Sequence, residues 1–402
     1  MRITVHAGSH ARTCCPAHVT LPIESPPLAF RLIEDATGQA VPCQWKGMGD
    51  KELVLTWLLD ALDAGETRTY TVGAGLRTRP SASTSPDSTR VELEALDGQV
   101  RVLIGGRLFT SYNHAPRYPR PFLYPVGGPF GHGITRNYPM KTGVPGESSD
   151  HPHHRSLYTA FGDVNGVDNW SEMEGHGRIL HRTFSALESG PAYGRIVAEN
   201  DWLSHSGETV VTETREMVFY NLPACCTLLD YTVTFHAGDQ PVTFGDTKEG
   251  GILSVRVAST MDVARRLGGQ IANAYGGINE GETWGKPSPW CDYSGPVAGR
   301  TVGIAILDHP HNLRHPTQWH VRDYGLMTAN CFAWSYYKDD RSLDGSHTMP
   351  PHTDLTFRYR VYIHAGREAG VPARFADFAF PPHVTVELAQ PSAPGSSPSA
   401  PG

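Results

Sequence analysis

The chain has 402 residues, long enough for two or three domains and a sizeable core. Its 34 Lys and Arg against 41 Asp and Glu leave a formal charge of −7 with no long basic run, which argues against a nucleic-acid or anionic-membrane partner. Apolar residues make up 39% and charged residues 19%, while 42 Gly and 32 Pro favour a turn-rich β protein. Apolar stretches such as Leu53 to Leu62 and Val302 to Leu307 fall well short of the roughly 20 residues a membrane-spanning helix needs.

In chain order, Met1 to His6 alternates like a strand and lacks the charged-then-apolar order of a secretion signal, so the cytoplasm is the expected location. Alternation continues in short bursts to about residue 75, for example Leu53-Val54-Leu55-Thr56-Trp57, and predicts a small β-sandwich over 1–75. The Ser-, Thr- and Pro-rich residues 76–90 read as a linker. Strand patterns resume at Val100 to Ile104, Val210 to Tyr220, Leu229 to His236, Thr301 to Leu307 and Leu355 to His364. In the last, Leu355, Phe357, Tyr359, Val361 and Ile363 share a core face, and Thr356, Arg358, Arg360 and Tyr362 a wet or functional one.

Only Ser254 to Leu267 and Pro372 to Phe380 read as helices. With no repeat at a propeller period, one large antiparallel sandwich is expected over 91–386, followed by a disordered tail over 387–402. The fold class is all-β. Seven cysteines, paired only as Cys14/Cys15 and Cys225/Cys226 with Cys43, Cys291 and Cys331 single, contain no CxxC and read as buried thiols.

The densest chemistry lies in ESSDHPHHRSLYTAFGDVNGVDNWSE, Glu147 to Glu172. If Asp150 to Tyr158 is extended, His151 and His153 project to one face and His154 to the other. Such a pair ligates a metal, with Asp163 or Glu172 adding a carboxylate, or serves proton transfer. Arg155, Asn165 and Trp170 are candidate substrate contacts. TFGDTKEGG brings Asp246, Lys248 and Glu249 to a Gly-flanked turn, where Lys248 either tunes a general base or makes an ordinary surface ion pair.

Two further segments supply Trp284, Lys286 and Trp290, and then His309, Arg314 and His320, while an earlier stretch supplies Asn113, His114 and Tyr124. Five of the eight tryptophans lie in or beside these polar segments, and an indole against polar groups suits the C–H face and hydroxyls of a sugar. No GxGxxG, Walker loop, GxSxG or HExxH occurs, which lowers nucleotide binding and Ser-nucleophile hydrolysis.

The segments DHPHHRSLYTAFGDVNGVDNWSE, VTFGDTKEGG, GKPSPWCDYSG, DHPHNLRHPTQWHVRDYG and FRYRVYIHAG together resemble the bacterial PmoA-like family of unknown function over roughly residues 91–382. Members often carry the label "methane oxygenase PmoA", a role at odds with a chain that has no spanning segment. The resemblance implies a galactose mutarotase-like supersandwich and carbohydrate chemistry, with 3-keto sugars or keto-glycosides among the substrates. The leading expectation is an enzyme that acts on a sugar or glycoside by general acid–base elimination or hydrolysis. In it His153, His154, Glu249, Lys248 and Asp246 are catalytic, and a divalent metal is the one candidate cofactor, with none certain. The alternatives are a non-catalytic carbohydrate-binding protein and a sugar mutarotase or epimerase. The expected partner is a small-molecule sugar or glycoside, with the oligomeric state open.

Overall fold

The computed structural model describes residues 1–22, 30–48, 52–74, 89–367 and 369–387. The expected linker and tail lie, apart from 89, 90 and 387, outside the described residues. The chain divides into two compact units, residues 1–81 with 381–402, and residues 82–380.

The first unit is a small antiparallel sandwich. One sheet runs in the order His383–Glu387, Arg2–His6, Thr67–Ala74, Phe30–Glu34, Ala40–Val41, and the other in the order Arg12–Pro22, Glu52–Leu62, Cys43–Met48. Alternate residues such as Ile3, Val5, Ala17, Leu55 and Trp57 fill the space between them. The strand His383–Glu387, expected within 91–386, belongs instead to this unit. Its register explains why: Val386 lies opposite Ile3 and Val384 opposite Val5, so its apolar face continues the small core.

The second unit is built on two eight-stranded antiparallel sheets. The first runs Trp319–Val321, Leu326–Ala329, Gly250–Arg256, Leu157–Phe161, Phe122–Val126, Arg107–Asn113, Gln99–Ile104, Val91–Leu96. The second runs Arg178–Glu188, Tyr193–Leu203, Thr209–Tyr220, Cys226–His236, Asp354–Ala365, Arg300–Asp308, Trp290–Val297, Gln270–Asn273. Leu123, Leu157, Val255 and Met327 of the first meet Phe219, Val233, Phe357 and Val361 of the second in a shared core, which makes the unit a sandwich.

Three local expectations change. Ser254 to Leu267 is not a helix: strand Gly250–Arg256 runs into it, followed by two single 3₁₀ turns, Ser259–Met261 and Val263–Arg265. The second face of Asp354–Ala365 is wet only in part: Arg358 is exposed, whereas helix Val371–Ala379 covers Arg360 and Tyr362. Arg360 lies 4.8 Å from the Phe378 ring, and the Tyr362 hydroxyl donates to Ala369 O at 2.8 Å. The thiols are not uniformly buried, since Cys225 is exposed while Cys15, Cys291 and Cys331 are enclosed. Among the described residues no helix is long and apolar enough to cross a membrane.

Between the sheets lies a buried ion pair, Arg215 with Glu213, both fully enclosed. Glu213 also accepts from Asn200 Nδ2 at 2.7 Å and Trp202 Nε1 at 2.9 Å. Breaking such a pair strands a buried charge, so Glu213→Leu should cost about 3–5 kcal/mol in urea denaturation. Adding Arg215→Met should recover part of that loss. Equal destabilisation of the single and double variants would show that the stranded guanidinium is not the source of the cost.

Candidate active site

Strand alternation puts Phe122, Tyr124, Tyr158, Arg256, Leu326 and His320 of the first sheet on the face away from the core, because their neighbours Leu123, Leu157, Val255, Met327 and Trp319 face inward. Loop residues Trp170 and Tyr324 pack on that face.

The segment Asp150 to Tyr158 does not run extended. Residues 151–154 form a turn in which His154 N donates to His151 O at 3.1 Å, and His151 has a positive φ of 44°. Ser156 (φ 63°) and Glu172 (φ 57°) share this strained left-handed region, which non-glycine residues occupy mainly where the surroundings force it. The turn brings all three histidines together. His151 stacks on His154 at 4.8 Å and on Tyr324 at 4.9 Å, while His153 meets His154 at 4.3 Å and Trp170 at 5.6 Å.

Three arginines enclosed to 1% exposure or less hold this arrangement. Arg120 donates to His153 O at 2.9 Å, Asn169 O at 3.0 Å and Trp170 O at 2.8 Å. Arg136 donates to Tyr138 O and His151 O and pairs with Asp150. Arg256 donates to Asp150 Oδ1 and, at 3.0 Å, to His154 Nδ1. A guanidinium can only donate, so His154 Nδ1 is the acceptor and its neutral ring carries the hydrogen on Nε2. The His151 Nδ1 atom lies 3.1 Å from Asp150 Oδ2 but is too poorly aligned to count as hydrogen-bonded. Arg155 grips Glu172 with two bonds of 2.8 and 2.7 Å, and Arg120 reaches the same carboxylate at 3.0 Å.

Electrostatics follow from this packing. Desolvation, then the Arg120 cation and His151, lower His153 to about 4, against the opposing pull of Glu172 and Glu249. Burial, then His153 and Arg256, hold His154 well below the usual imidazole range. His320 falls to about 3 through burial and the nearby Lys248 and Arg322 cations. Desolvation favours a protonated Asp150 and Glu172, yet the arginines win and hold both carboxyls below their ordinary range. Asp262 is pushed up to about 7 by burial, which Arg256 and Arg265 only partly offset. Its Oδ1 and Arg256 Nε have no partner among the described residues, and both crowd Gly325, where a Cβ would lie 2.3 and 3.3 Å from them. With φ at +101°, that position is doubly reserved for glycine.

The enclosed Tyr158 hydroxyl and Trp170 indole N–H also lack a partner among the described residues. Lys248 pairs with the half-exposed Glu249, and both lie close enough to the histidines to influence them.

Residues 99–374 match the model of a "Family of unknown function (DUF6807)". The chain belongs to that family. No curated protein matches it. Among solved structures it is similar to a "galactose mutarotase related enzyme" from Lactobacillus acidophilus, at 7% identity and a TM-score of 0.27, over 68% of this chain and 97% of that one. Neither comparison carries the PmoA label.

In this DUF6807 protein, the residues gathered on one face are His151, His153, His154, Arg155, Trp170, Glu172, Lys248, Glu249 and His320, with Tyr124 at the edge of the same apolar cluster. Trp284 borders it through Tyr337, edge-on at 5.2 Å, a ring that feels the Glu249 charge. The other candidates lie outside this group. Asp246 accepts from Ser335 N and Gly345 N, Asn113 donates to Ser111 O and Tyr124 O, and Asn165 bonds Pro241 O and Thr243 N. His114 packs on Tyr112 and His181, and Arg314 binds the carbonyls of Cys331 and Ser346. Trp290 is buried, Lys286 exposed, and His309 packs on Phe378.

The metal set is not assembled either. Asp163 closes a turn by accepting from Gly166 N, and both Glu172 oxygens face guanidinium donors. Among the described residues no group of three or more His, Cys, Asp or Glu is placed to hold an ion. Arg256, Tyr158 and Asp262 were not singled out from the sequence. Only Arg256 left a signal, as the one charge in the apolar run GGILSVRVAS.

These shifts predict an acid-sensitive fold. Unfolded imidazoles take up protons near 6.5, whereas His153 and His320 refuse them until about 4 and about 3, so stability should fall as pH drops below about 6.5. Asp262, raised to about 7, binds its proton more tightly when folded and opposes this by a single proton. The urea midpoint should therefore drop between pH 7 and pH 4, and a midpoint constant over that range would contradict the assignment.

Proposed function

We propose that this protein is a carbohydrate-active enzyme that acts on a sugar or glycoside by general acid–base proton transfer at the histidine turn. The observation that carries the reading is a partly accessible imidazole, His153, kept neutral beside a second imidazole, His154, whose tautomer is fixed by Arg256. Neutral His153 is available to accept a proton throughout the physiological range. His154 offers an N–H donor at Nε2, suited to a carbonyl or leaving-group oxygen.

If the substrate carries a keto group, the proton on the adjacent carbon is acidified. His153 takes that proton, the departing oxygen leaves from the next carbon, and the imidazolium returns the proton to it. Because its surroundings disfavour the cation, His153 gives that proton up readily. Lys248, paired with Glu249, is the nearby cation for enolate charge, since Arg155 is held on Glu172 by two bonds. The partly exposed Tyr324, stacked on His151, supplies a ring face for the apolar side of a sugar. A purely recognitive site has no need of a neutral base framed by buried cations, which favours catalysis over binding alone.

The test is aglycone release from a panel of plain and 3-keto glycosides. Turnover should show an acidic limb near pH 4 rather than near 6.5. His153→Ala should lose about 10²–10⁴-fold in kcat with bound substrate retained. Silence of the wild type on the whole panel, or full activity of His153→Ala, would sink the reading.

A further inference from the structure

Beside the histidine turn, on the same face of the first large sheet, lies a cavity of about 310 Å³ with one wall of Tyr118, Phe122, Tyr124, Pro125 and Met140 and a polar side formed by Gln99, Arg101, Ser111 and Asn113. Ligand pockets run from roughly 300 to 1,000 Å³, so this one has room for a single ring system. Phe122 belongs to one apolar cluster with Trp170 and Tyr158, and Tyr118, Tyr124, Met140 and Tyr324 pack against it. The cavity wall is thus continuous with the rings that stack on His151, His153 and His154.

Gln99 and Ser111 line it with polar side chains free among the described residues, but its other polar groups are engaged. The Asn113 amide donates to Ser111 O at 2.8 Å and Tyr124 O at 3.0 Å, the Tyr124 hydroxyl donates to Asn137 Oδ1 at 2.8 Å, and Arg101 pairs with Glu94. A sugar ring placed against the aromatic wall would surrender the hydration of several hydroxyls and find only Gln99 and Ser111 as free partners. An aryl ring gives up almost no hydration and meets aromatic edges and faces, as Tyr118 and Phe122 already do at 5.0 Å and 78°. Met140 adapts to irregular ring shapes.

A second cleft of about 650 Å³ offers the opposite chemistry, lined by Arg117, Glu172, Glu174, His176 and Arg178. Arg155 stands between the two characters, with its guanidinium 5.9 Å from the Phe122 ring and its donors on Glu172.

We propose that the aromatic cavity is a binding subsite for an aryl group, and that the substrate is an aryl glycoside whose aglycone it holds. The sugar half of that statement rests on the glycoside reading above, while the affinity for an aryl group does not.

Isothermal titration of the full chain with 2-naphthol, and with matched 2-naphthyl and methyl glycosides, tests both halves. Saturable 2-naphthol binding is expected, with the naphthyl glycoside bound about tenfold or more tighter than its methyl counterpart. Met140→Trp, which fills the cavity from a partly exposed position, should abolish 2-naphthol binding and the naphthyl advantage over the methyl glycoside. Tyr118→Ala, which removes a wall, should weaken both in the same sense, and near-ultraviolet circular dichroism confirms that each variant is folded. Absence of 2-naphthol binding, or an advantage that survives both substitutions, overturns the subsite. Binding of 2-naphthol that Met140→Trp removes, with neither glycoside bound, supports the subsite and overturns the glycoside reading alone.

Discussion

The site depends on buried guanidiniums that aim at backbone carbonyls rather than at a ligand. Arg120 reaches His153 O, Asn169 O and Trp170 O, and Arg136 reaches Tyr138 O and His151 O, so two side chains gather three separate stretches of loop. Only arginine offers five donors in a rigid fork; a lysine ammonium at either place would satisfy fewer carbonyls and fix no plane. The left-handed backbone of His151, Ser156 and Glu172 persists because these bonds over-determine the loop.

The same cations that fix position also set protonation. An isolated guanidinium in a protein interior is expensive, and the carboxylates of Asp150 and Glu172 offset that cost by pairing with the arginines. Those carboxylates are thereby occupied, and the histidines experience a surplus of positive charge plus desolvation. Both effects favour the uncharged imidazole. Geometry and acid–base state are therefore not separable here: an arginine removed to alter one alters the other.

The sequence showed the fold class and the main strand blocks because both rest on local alternation, as Phe357, Tyr359, Val361 and Ile363 illustrate. It also showed the histidine segment, where titratable residues are dense. It did not show that His151 to His154 turn rather than extend, since that geometry is imposed by Arg120, Arg136 and Arg256 from elsewhere in the chain. Nor did it separate Asp246, Asn113, Asn165 and Arg314, which close loops, from the residues gathered at the histidine turn. A polar residue that closes a loop and one that meets a substrate share composition, and only the hydrogen-bond partners tell them apart. Asp262 left no trace because its character comes from burial beside Arg256, a contact without local signature.

Why the histidine cluster gathers on one sheet and not the other follows from what covers each outer face. On the second sheet, helix Val371–Ala379 lies over Arg360, which is bound to Asp230 by two bonds of 2.6 and 2.8 Å and lies over Phe378, so its charges are internally neutralised. On the first sheet, the outer side chains meet loops instead, and loops can carry left-handed residues and unpaired donors that a helix would exclude. Tyr158 makes the contrast concrete. It stands on a central strand with its hydroxyl unpaired, a cost a plain core position would have shed by substitution to phenylalanine. Its place between Arg120 and the Trp170 ring, 5.5 Å away, puts that hydroxyl where the polar and aromatic halves of the face meet.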